Sequence, residues 1–187
     1  TSPVGFRAAP PGSVLLRPSM AVSNRSGSQN LTVTRASHGV GNSLASGSLP
    51  GWQLRAREHT EQVQVELVTL NEVLRHERDG VYLLKIDSQG HEYQILQGCA
   101  QYMRTHPVYM VFFEYFPKGL HAHGTNGMDL LELLRHLGYT CFNAGGKGTP
   151  EVGALSFEEF ISKYPVPRGR LGFGGFTDLA CLRLDLL

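Results

Sequence analysis

The first 57 residues of this 187-residue chain contain no aspartate and no glutamate. They carry six arginines, and all sixteen acidic residues follow from Glu58 onward, so the net charge is only +1. A charge this close to neutral argues against nucleic acid or a membrane surface as the default partner. Arginines scattered through a Ser/Gly-rich segment are most simply a solvated surface, although they would also suit an anionic partner.

Cysteine is scarce and long apolar runs are absent. Cys99, Cys141 and Cys181 form no Cys-x-x-Cys pair, so neither a zinc site nor a complete disulfide framework is indicated. We therefore expect reduced, partly buried thiols. No run reaches the ~18 apolar residues that a membrane span needs.

The amino-terminal part carries two glycosylation triplets, Asn24-Arg25-Ser26 and Asn30-Leu31-Thr32, which matter only in a secreted protein. The sequence begins with Thr1 rather than Met, so any upstream signal or anchor lies outside it. Segment 1–12, rich in Pro, Gly and Ala, predicts a disordered lead-in, and 13–187 predicts a single domain.

Apolar patterns and turn residues predict an α/β domain. We expect strands at 14–16, 20–22, 31–34, 63–67, 81–87, 108–113, 139–142 and 179–184, and helices at 70–76, 91–103, 128–137 and 156–163. Thr69 and Glu72 have the spacing of a capping box. The first strands predict a hairpin that turns at 23–28, and 37–57 is a long Gly/Ser-rich connection. The remaining order predicts a parallel sheet with right-handed crossovers and an antiparallel pair at one edge.

The stretch 82–92 ends an apolar run in Asp87 and turns through Gly90 into a helical pattern. Such a strand delivers a carboxylate to the mouth of an α/β sheet, where these folds bind ligands. Asp87 is our candidate base or substrate-positioning group, or alternatively a structural cap of the next helix. Lys85 shares its strand face, and as a buried lysine it needs Asp87 or Glu114 within about 6 Å.

Three further polar residues are candidates near this mouth. Glu92 lies in the first helical turn, where the helix dipole favours a negative charge, so its role is either structural or catalytic. His91 can share a proton with Asp87 or be a plain surface residue. Glu114 ends the next strand. Together with His121 and His123 it would offer oxygen and nitrogen ligands to a metal, although the two histidines have no third ligand at a fixed sequence spacing.

The central motif resembles the signature of the FkbM-type methyltransferases, S-adenosylmethionine-dependent enzymes that mostly methylate hydroxyl oxygens. The resemblance covers roughly 14–184. It is carried by Leu83-Leu84-Lys85-Ile86-Asp87-x-x-Gly90-His91-Glu92, Leu96-Gln97-Gly98, Ala21-Val22-Ser23-Asn24-Arg25-Ser26-Gly27, Gly41-Asn42-Ser43-Leu44, Val68-Thr69-Leu70 and Leu133-Leu134-x-x-Leu137-Gly138-Tyr139.

The resemblance implies a Rossmann-like class I methyltransferase sheet, mostly parallel with a C-terminal antiparallel edge. It implies methyl transfer from S-adenosylmethionine to a hydroxyl of a sugar or related small molecule. Asp87, Glu92 and Glu114 would frame the acceptor side, with Lys85 and His91 beside them. Ala21, Val22 and Asp87 would contact the cofactor.

The chain departs from the family in two ways. Gln89 stands where the family usually has Glu, which removes one negative charge from the mouth of the sheet. The family's first two strands and their Gly-rich cofactor loop have no counterpart before Val14. The sheet would then be incomplete at its N-terminal side, either because the chain is a fragment or because the segment at Val14 covers the open edge. The alternative function is a non-catalytic, methyltransferase-like interaction module.

Overall fold

The computed structural model describes residues 20–34, 60–145 and 176–186, and the predictions for 1–12, 14–16, 37–57 and 156–163 lie outside these ranges. The described residues form seven strands and five α-helices. The strands are β1 Met20–Val22, β2 Gly27–Thr34, β3 Thr60–Val68, β4 Val81–Ile86, β5 Val108–Tyr115, β6 Thr140–Gly145 and β7 Thr177–Leu182. The helices are α1 Leu70–Val73, α2 Glu92–Gln97, α3 Ala100–Thr105, α4 Pro117–Ala122 and α5 Gly127–His136.

The first three strands form a separate sheet in the order β1-β3-β2. β3 runs parallel to β1 and antiparallel to β2. The predicted hairpin of β1 with β2 is therefore wrong, because β3 lies between them. The alternation that identified β3 specifies which of its faces is buried but not which strands pair with its two edges.

The last four strands form the second sheet in the order β4-β5-β7-β6. β4 and β5 are parallel, as predicted, and β7 is antiparallel to both of its neighbours. The antiparallel pair predicted at one edge is confirmed, but the last strand occupies the inner position of that pair. Among the described strands, two of the five pairings are parallel, so the expected single, mostly parallel sheet is not what these residues form.

The helices follow their predicted caps more closely than their predicted lengths. Thr69 and Glu72 form the capping box, but α1 ends at Val73 rather than near His76. The helix expected at 91–103 is broken into α2 and α3, with Gly98 as the C-cap of α2. Gly98 lies so close to the Ser23 carbonyl oxygen that a Cβ would overlap it. Asn126 caps α5, and α4 forms where the sequence patterns predicted no helix.

The main hydrophobic core lies between the four-stranded sheet and the helices. Val111 and Phe113 of β5 pack there with Leu96, Leu130 and Leu134, all of them fully buried. The three-stranded sheet has a much smaller core of Val65 and Leu67, against which Ala21 and Leu31 pack. The two sheets therefore differ in how much apolar area each buries.

The expectation of three reduced thiols is wrong for two cysteines. Cys141 of β6 and Cys181 of β7 are directly opposite each other and form a disulfide. Sequence spacing could not reveal this pair, because their proximity arises from the sheet register. Cys99 is a buried free thiol, and burial raises its pKa to about 12, which makes it a poor nucleophile.

The outer edge of β4 carries exposed apolar side chains. Tyr82 is 76% exposed and Leu83 49%, and no described strand pairs with that edge. A cavity of about 690 Å³ lies beside the first residues of β4, lined from both sheets by Met20, Val68 and Val81 and by the segment 72–77. No helix in the described part of the chain is long and apolar enough to cross a membrane.

Candidate functional site

A tight turn joins β4 to α2 and presents Asp87 at the carboxyl end of the sheet. Gly90 has φ +105°, a conformation that favours glycine, and a Cβ there would overlap the backbone of Gly119. The turn is thus packed directly against α4. The motif at 82–92 is therefore a strand, a turn and the start of a helix, and its backbone requires glycine at Gly90.

Glu92 holds this turn together from inside. Its side chain is completely buried, and Oε1 accepts hydrogen bonds from the Ser88 backbone N–H (3.1 Å), the Ser88 hydroxyl (2.9 Å) and the Gly90 N–H (3.2 Å). Oε2 is buried and has no hydrogen-bond partner. These contacts favour the structural interpretation of Glu92, because a carboxylate that accepts three local hydrogen bonds fixes the backbone that carries Asp87.

Gln89 bridges the two carboxylates of the site. Its Nε2 donates to Asp87 Oδ1 (3.1 Å) and to Glu114 Oε2 (3.4 Å). Its φ of +54° is the left-handed conformation that non-glycine residues rarely adopt. The family's usual Glu would place a third carboxylate here, whereas the amide donates to both neighbours and links Asp87 with Glu114.

Glu114 lies on β5 among other acids. It is half-buried, and burial together with the charges of Asp87, Glu92 and Asp178 raises the pKa of its carboxyl. Asp178 of β7 is its direct cross-strand partner. A carboxyl with a raised pKa binds a proton more readily than an ordinary one, which suits a general base at a sheet mouth.

Lys85 pairs with Asp87 as predicted, but not in the predicted environment. Its Nζ lies 3.7 Å from Asp87 Oδ2, within the 6 Å limit, yet the two side chains are 61% and 58% exposed. The expectation of a buried lysine is wrong, because β4 is an edge strand whose outward face is open. An ion pair this exposed contributes about 0–1 kcal/mol to stability.

His91 lies in a polar junction between the two sheets. Its Nε2 lies 3.0 Å from the Ser23 hydroxyl, and its Nδ1 lies 3.3 Å from Nδ1 of His123. Burial, and secondarily the charge of His123, lowers the pKa of His91 to about 4, and burial lowers the pKa of His123. The lowered pKa values favour the neutral form of both rings.

The junction uses residues that sequence reasoning did not single out. Ser23 was assigned only to a turn, and His123 only to a metal site. Asn24 donates to Gln97 Oε1 (3.1 Å), and Gln94 donates to the His123 carbonyl (3.3 Å). No local pattern signals such a contact, since Ser23 and His91 are 68 positions apart.

The expected cofactor residues Ala21 and Val22 lie on β1. Val22 packs against the main core, and the next residue, Ser23, reaches His91 at the start of α2. The carboxyl end of β1 thus approaches the helix that follows Asp87. The cavity lies instead at the opposite, amino-terminal end of β4.

The described residues do not fit S-adenosylmethionine as a whole. Asp87 and Glu114 lie close together at the carboxyl end of the sheet, but no described strand lies between β1 and β4, and none of the described residues forms a Gly-rich loop beside Asp87. The metal alternative is not assembled either: within the described ranges, no group of three or more His, Cys, Asp or Glu side chains is arranged to hold a metal ion. His121 itself is exposed.

Comparison with known proteins assigns the family. A search of curated proteins and a search of solved structures each gave no match. The family model described as the methyltransferase FkbM domain matches residues 4–141, which is most of the chain and includes β1 to β5 with the turn at Asp87. The chain belongs to the FkbM methyltransferase family.

Proposed function

We propose that the described residues form the methyl-acceptor half of an S-adenosylmethionine-dependent methyltransferase that acts on a hydroxyl oxygen of a sugar or related small molecule. The observation that carries the proposal is the link Asp87–Gln89–Glu114 at the carboxyl ends of two parallel strands. Ligands of open α/β sheets bind at this end of the strands. Family membership supports methyl transfer in general.

The chain's own residues can position and deprotonate the acceptor. A hydroxyl that attacks a methyl group must lose its proton, and a carboxylate within hydrogen-bond reach contributes roughly 10²–10⁴-fold. Asp87 is exposed and reaches solvent at the mouth, whereas Glu114 is half-buried with a raised pKa. We assign Asp87 to bind the acceptor hydroxyl and Glu114 to take the proton, with Gln89 holding the two carboxylates in register.

Lys85, Glu92 and His91 take supporting roles in this proposal. Lys85 steers Asp87 through their ion pair, and Glu92 fixes the turn. His91 couples the start of α2 to Ser23 at the end of β1. Bound S-adenosylmethionine would supply the methyl group.

A calorimetric titration of S-adenosylmethionine tests this division into halves. We would titrate the present chain and a chain extended upstream, each as wild type and as Asp87→Asn. Heat from the extended chain alone supports an acceptor half that is completed elsewhere. Binding of the methyl donor by neither chain contradicts the proposal.

A specific observation favours the non-catalytic alternative, an interaction module. The cavity of about 690 Å³ lies between the two sheets at the amino-terminal end of β4, away from Asp87. A module that receives a partner segment in that gap needs no cofactor. The module predicts no heat with S-adenosylmethionine for either chain, and no loss of partner binding in Asp87→Asn.

A further inference from the structure

The disulfide between β6 and β7 indicates the kind of compartment in which the protein matures. Cys181 is completely buried and bonded to Cys141 within the pairing of the two strands. Structural disulfides persist in oxidising compartments and are rare in the cytosol. Forming this bond removes two protons and two electrons from the thiols, and the disulfide of a thiol oxidoreductase accepts them.

The two glycosylation triplets provide a second, independent observation. The first lies in the turn between β1 and β2 and the second on β2, and both asparagines, Asn24 and Asn30, are exposed. Such triplets accept N-linked glycans only in chains that enter a glycosylating, secretory compartment. The disulfide and the exposed glycosylation triplets therefore both indicate an oxidising, secretory compartment.

The two asparagines differ in what their side chains do. Asn24 donates from Nδ2 to Gln97 Oε1 (3.1 Å) and accepts from the Ser23 hydroxyl (3.4 Å), so it belongs to the junction with α2. A glycan on Asn24 would replace an amide hydrogen of that junction. Asn30 lies on β2, the outer strand of its sheet, opposite Gln64 of β3.

The position of Asn30 gives a glycan a physical role. No described strand pairs with the outer edge of β2, and an unpaired strand edge is a template for aggregation unless something covers it. A bulky, hydrated glycan beside this edge would block the approach of another strand. The triplet's threonine, Thr32, accepts a hydrogen bond from Gln62 (2.8 Å), which keeps this part of β2 on β3.

We propose that Asn30 carries an N-linked glycan and that the protein matures in an oxidising compartment where Cys141 and Cys181 are joined. In the transfer, Asn30 Nδ2 bonds to C1 of a glycan donated by a polyprenyl diphosphate. The bond from C1 to the diphosphate oxygen breaks, the diphosphate leaves with the electron pair, and an amide proton passes to a base of the transferase. This proposal does not depend on the methyltransferase activity.

Peptide mapping of the protein purified from the cells that naturally make it tests the proposal. Peptide N-glycosidase in heavy-oxygen water should convert Asn30 to Asp with one heavy oxygen and leave Asn24 unlabelled. A non-reducing map should show the Cys141–Cys181 crosslink, with Cys99 alkylated only after unfolding. Asn30→Gln and Thr32→Val should each abolish the glycan, whereas Asn24→Gln should keep it.

Three outcomes would overturn the proposal. Asn30 unlabelled after the enzyme treatment would refute the glycan, and a label at Asn24 alone would refute the choice of site. Free thiols at Cys141 and Cys181 in the native protein would refute the oxidising compartment. Because each outcome is read from the mass of a natural peptide, none depends on whether a variant folds.

Discussion

The two sheets of this protein are stabilised in different ways. The four-stranded sheet packs on the helices through a large apolar core that includes Phe113, Leu96 and Leu134, whereas the core of the three-stranded sheet, among the described side chains, consists of Val65 and Leu67. Besides Val22, which packs against the main core, polar and close backbone contacts attach the smaller sheet to the rest. These are Ser23 with His91, Asn24 with Gln97, Ser26 with Glu72, and Gly98 against Ser23.

This difference in packing separates the candidate acceptor site from the expected cofactor residues. The candidate acceptor site stands on the well-packed sheet, and the expected cofactor residues stand on the sheet with little core. A protein opens first where few apolar contacts are buried. We therefore expect the smaller sheet to exchange its amide hydrogens sooner, and a bound cofactor to protect it most.

The largest effect is expected from removing core volume in the four-stranded half. Leu134 is completely buried on α5, so Leu134→Ala should lower the free energy of unfolding by about 3–4 kcal/mol. Leu31→Ala, at a half-buried position of the smaller sheet, should cost about 1 kcal/mol. Urea denaturation measures both, and equal losses would contradict the difference between the sheets.

The next effect separates the two sheets without touching either core. Gly98→Ala places a methyl group on the Ser23 carbonyl, and the overlap should cost about 1–3 kcal/mol. Amide exchange should accelerate in β1 to β3 while β5 and β7 keep their protection. Gln101→Ala, an exposed change on α3, is the matched control, and uniform acceleration over both sheets would show that Gly98 does not form a local junction.

The histidine junction predicts a pH dependence of stability. The pKa of His91 falls from its ordinary 6.5 to about 4 on folding, so the unfolded chain binds more protons between these values. Stability should therefore rise with pH from about 4 to 6.5, with uptake of up to one proton on unfolding. His123 and Ser23 face the ring, and His123, its pKa lowered by burial, adds in the same direction.

His91→Asn should flatten this slope, as measured by thermal unfolding at a series of pH values. His136→Asn, at an exposed position of α5, should leave the slope unchanged. An unchanged slope in His91→Asn would show that the ring is not held in its neutral form by the fold.

The smallest effect comes from the acidic pair Glu114 and Asp178. They are directly opposite each other on β5 and β7, and like charges in that position cost roughly 0.2–1 kcal/mol. Because the pKa of Glu114 is raised on folding, its contribution destabilises the protein as the pH rises through that pKa. Glu114→Gln should raise the melting temperature at pH 7 and lose this gain at pH 4.

Gln89→Glu should have the opposite effect on the melting temperature. A third carboxylate between Asp87 and Glu114 would replace two donated hydrogen bonds with repulsion. The variant should melt below the wild type at pH 7, and the pKa of Glu114, followed by carbon NMR, should rise further. An unchanged pKa of Glu114 would show that Gln89 does not bridge Asp87 and Glu114.

Local patterns predicted the parts of this fold that depend on local physics. An apolar run predicted the strand that ends before Asp87. A hydroxyl with Glu three residues later predicted the capping box at Thr69. The end of α5 is followed by Gly138, whose φ is +85°. The contact of Lys85 with Asp87 followed from their shared face. Even so, the exposure of Lys85 was missed, because a strand sequence does not reveal whether the strand lies at an edge.

The errors concern contacts made across the chain. β3 inserts between β1 and β2, and the disulfide joins cysteines that are 40 positions apart. Both depend on register between distant strands, which no local pattern encodes. The bridging role of Gln89 also escaped prediction, since it requires the left-handed backbone at that residue and the position of Glu114 on a neighbouring strand.

The rate of methyl transfer by the chain extended upstream tests the central claim most directly. Radiolabelled S-adenosylmethionine would be incubated with a panel of monosaccharides and the wild type, Asp87→Asn, or Asp129→Asn, an exposed helix residue that serves as the control. If Asp87 binds the acceptor hydroxyl, Asp87→Asn should transfer methyl roughly 10–10²-fold more slowly, as expected for the loss of one hydrogen bond to a charged group, with the control unchanged. Transfer by Asp87→Asn at the wild-type rate would contradict the account.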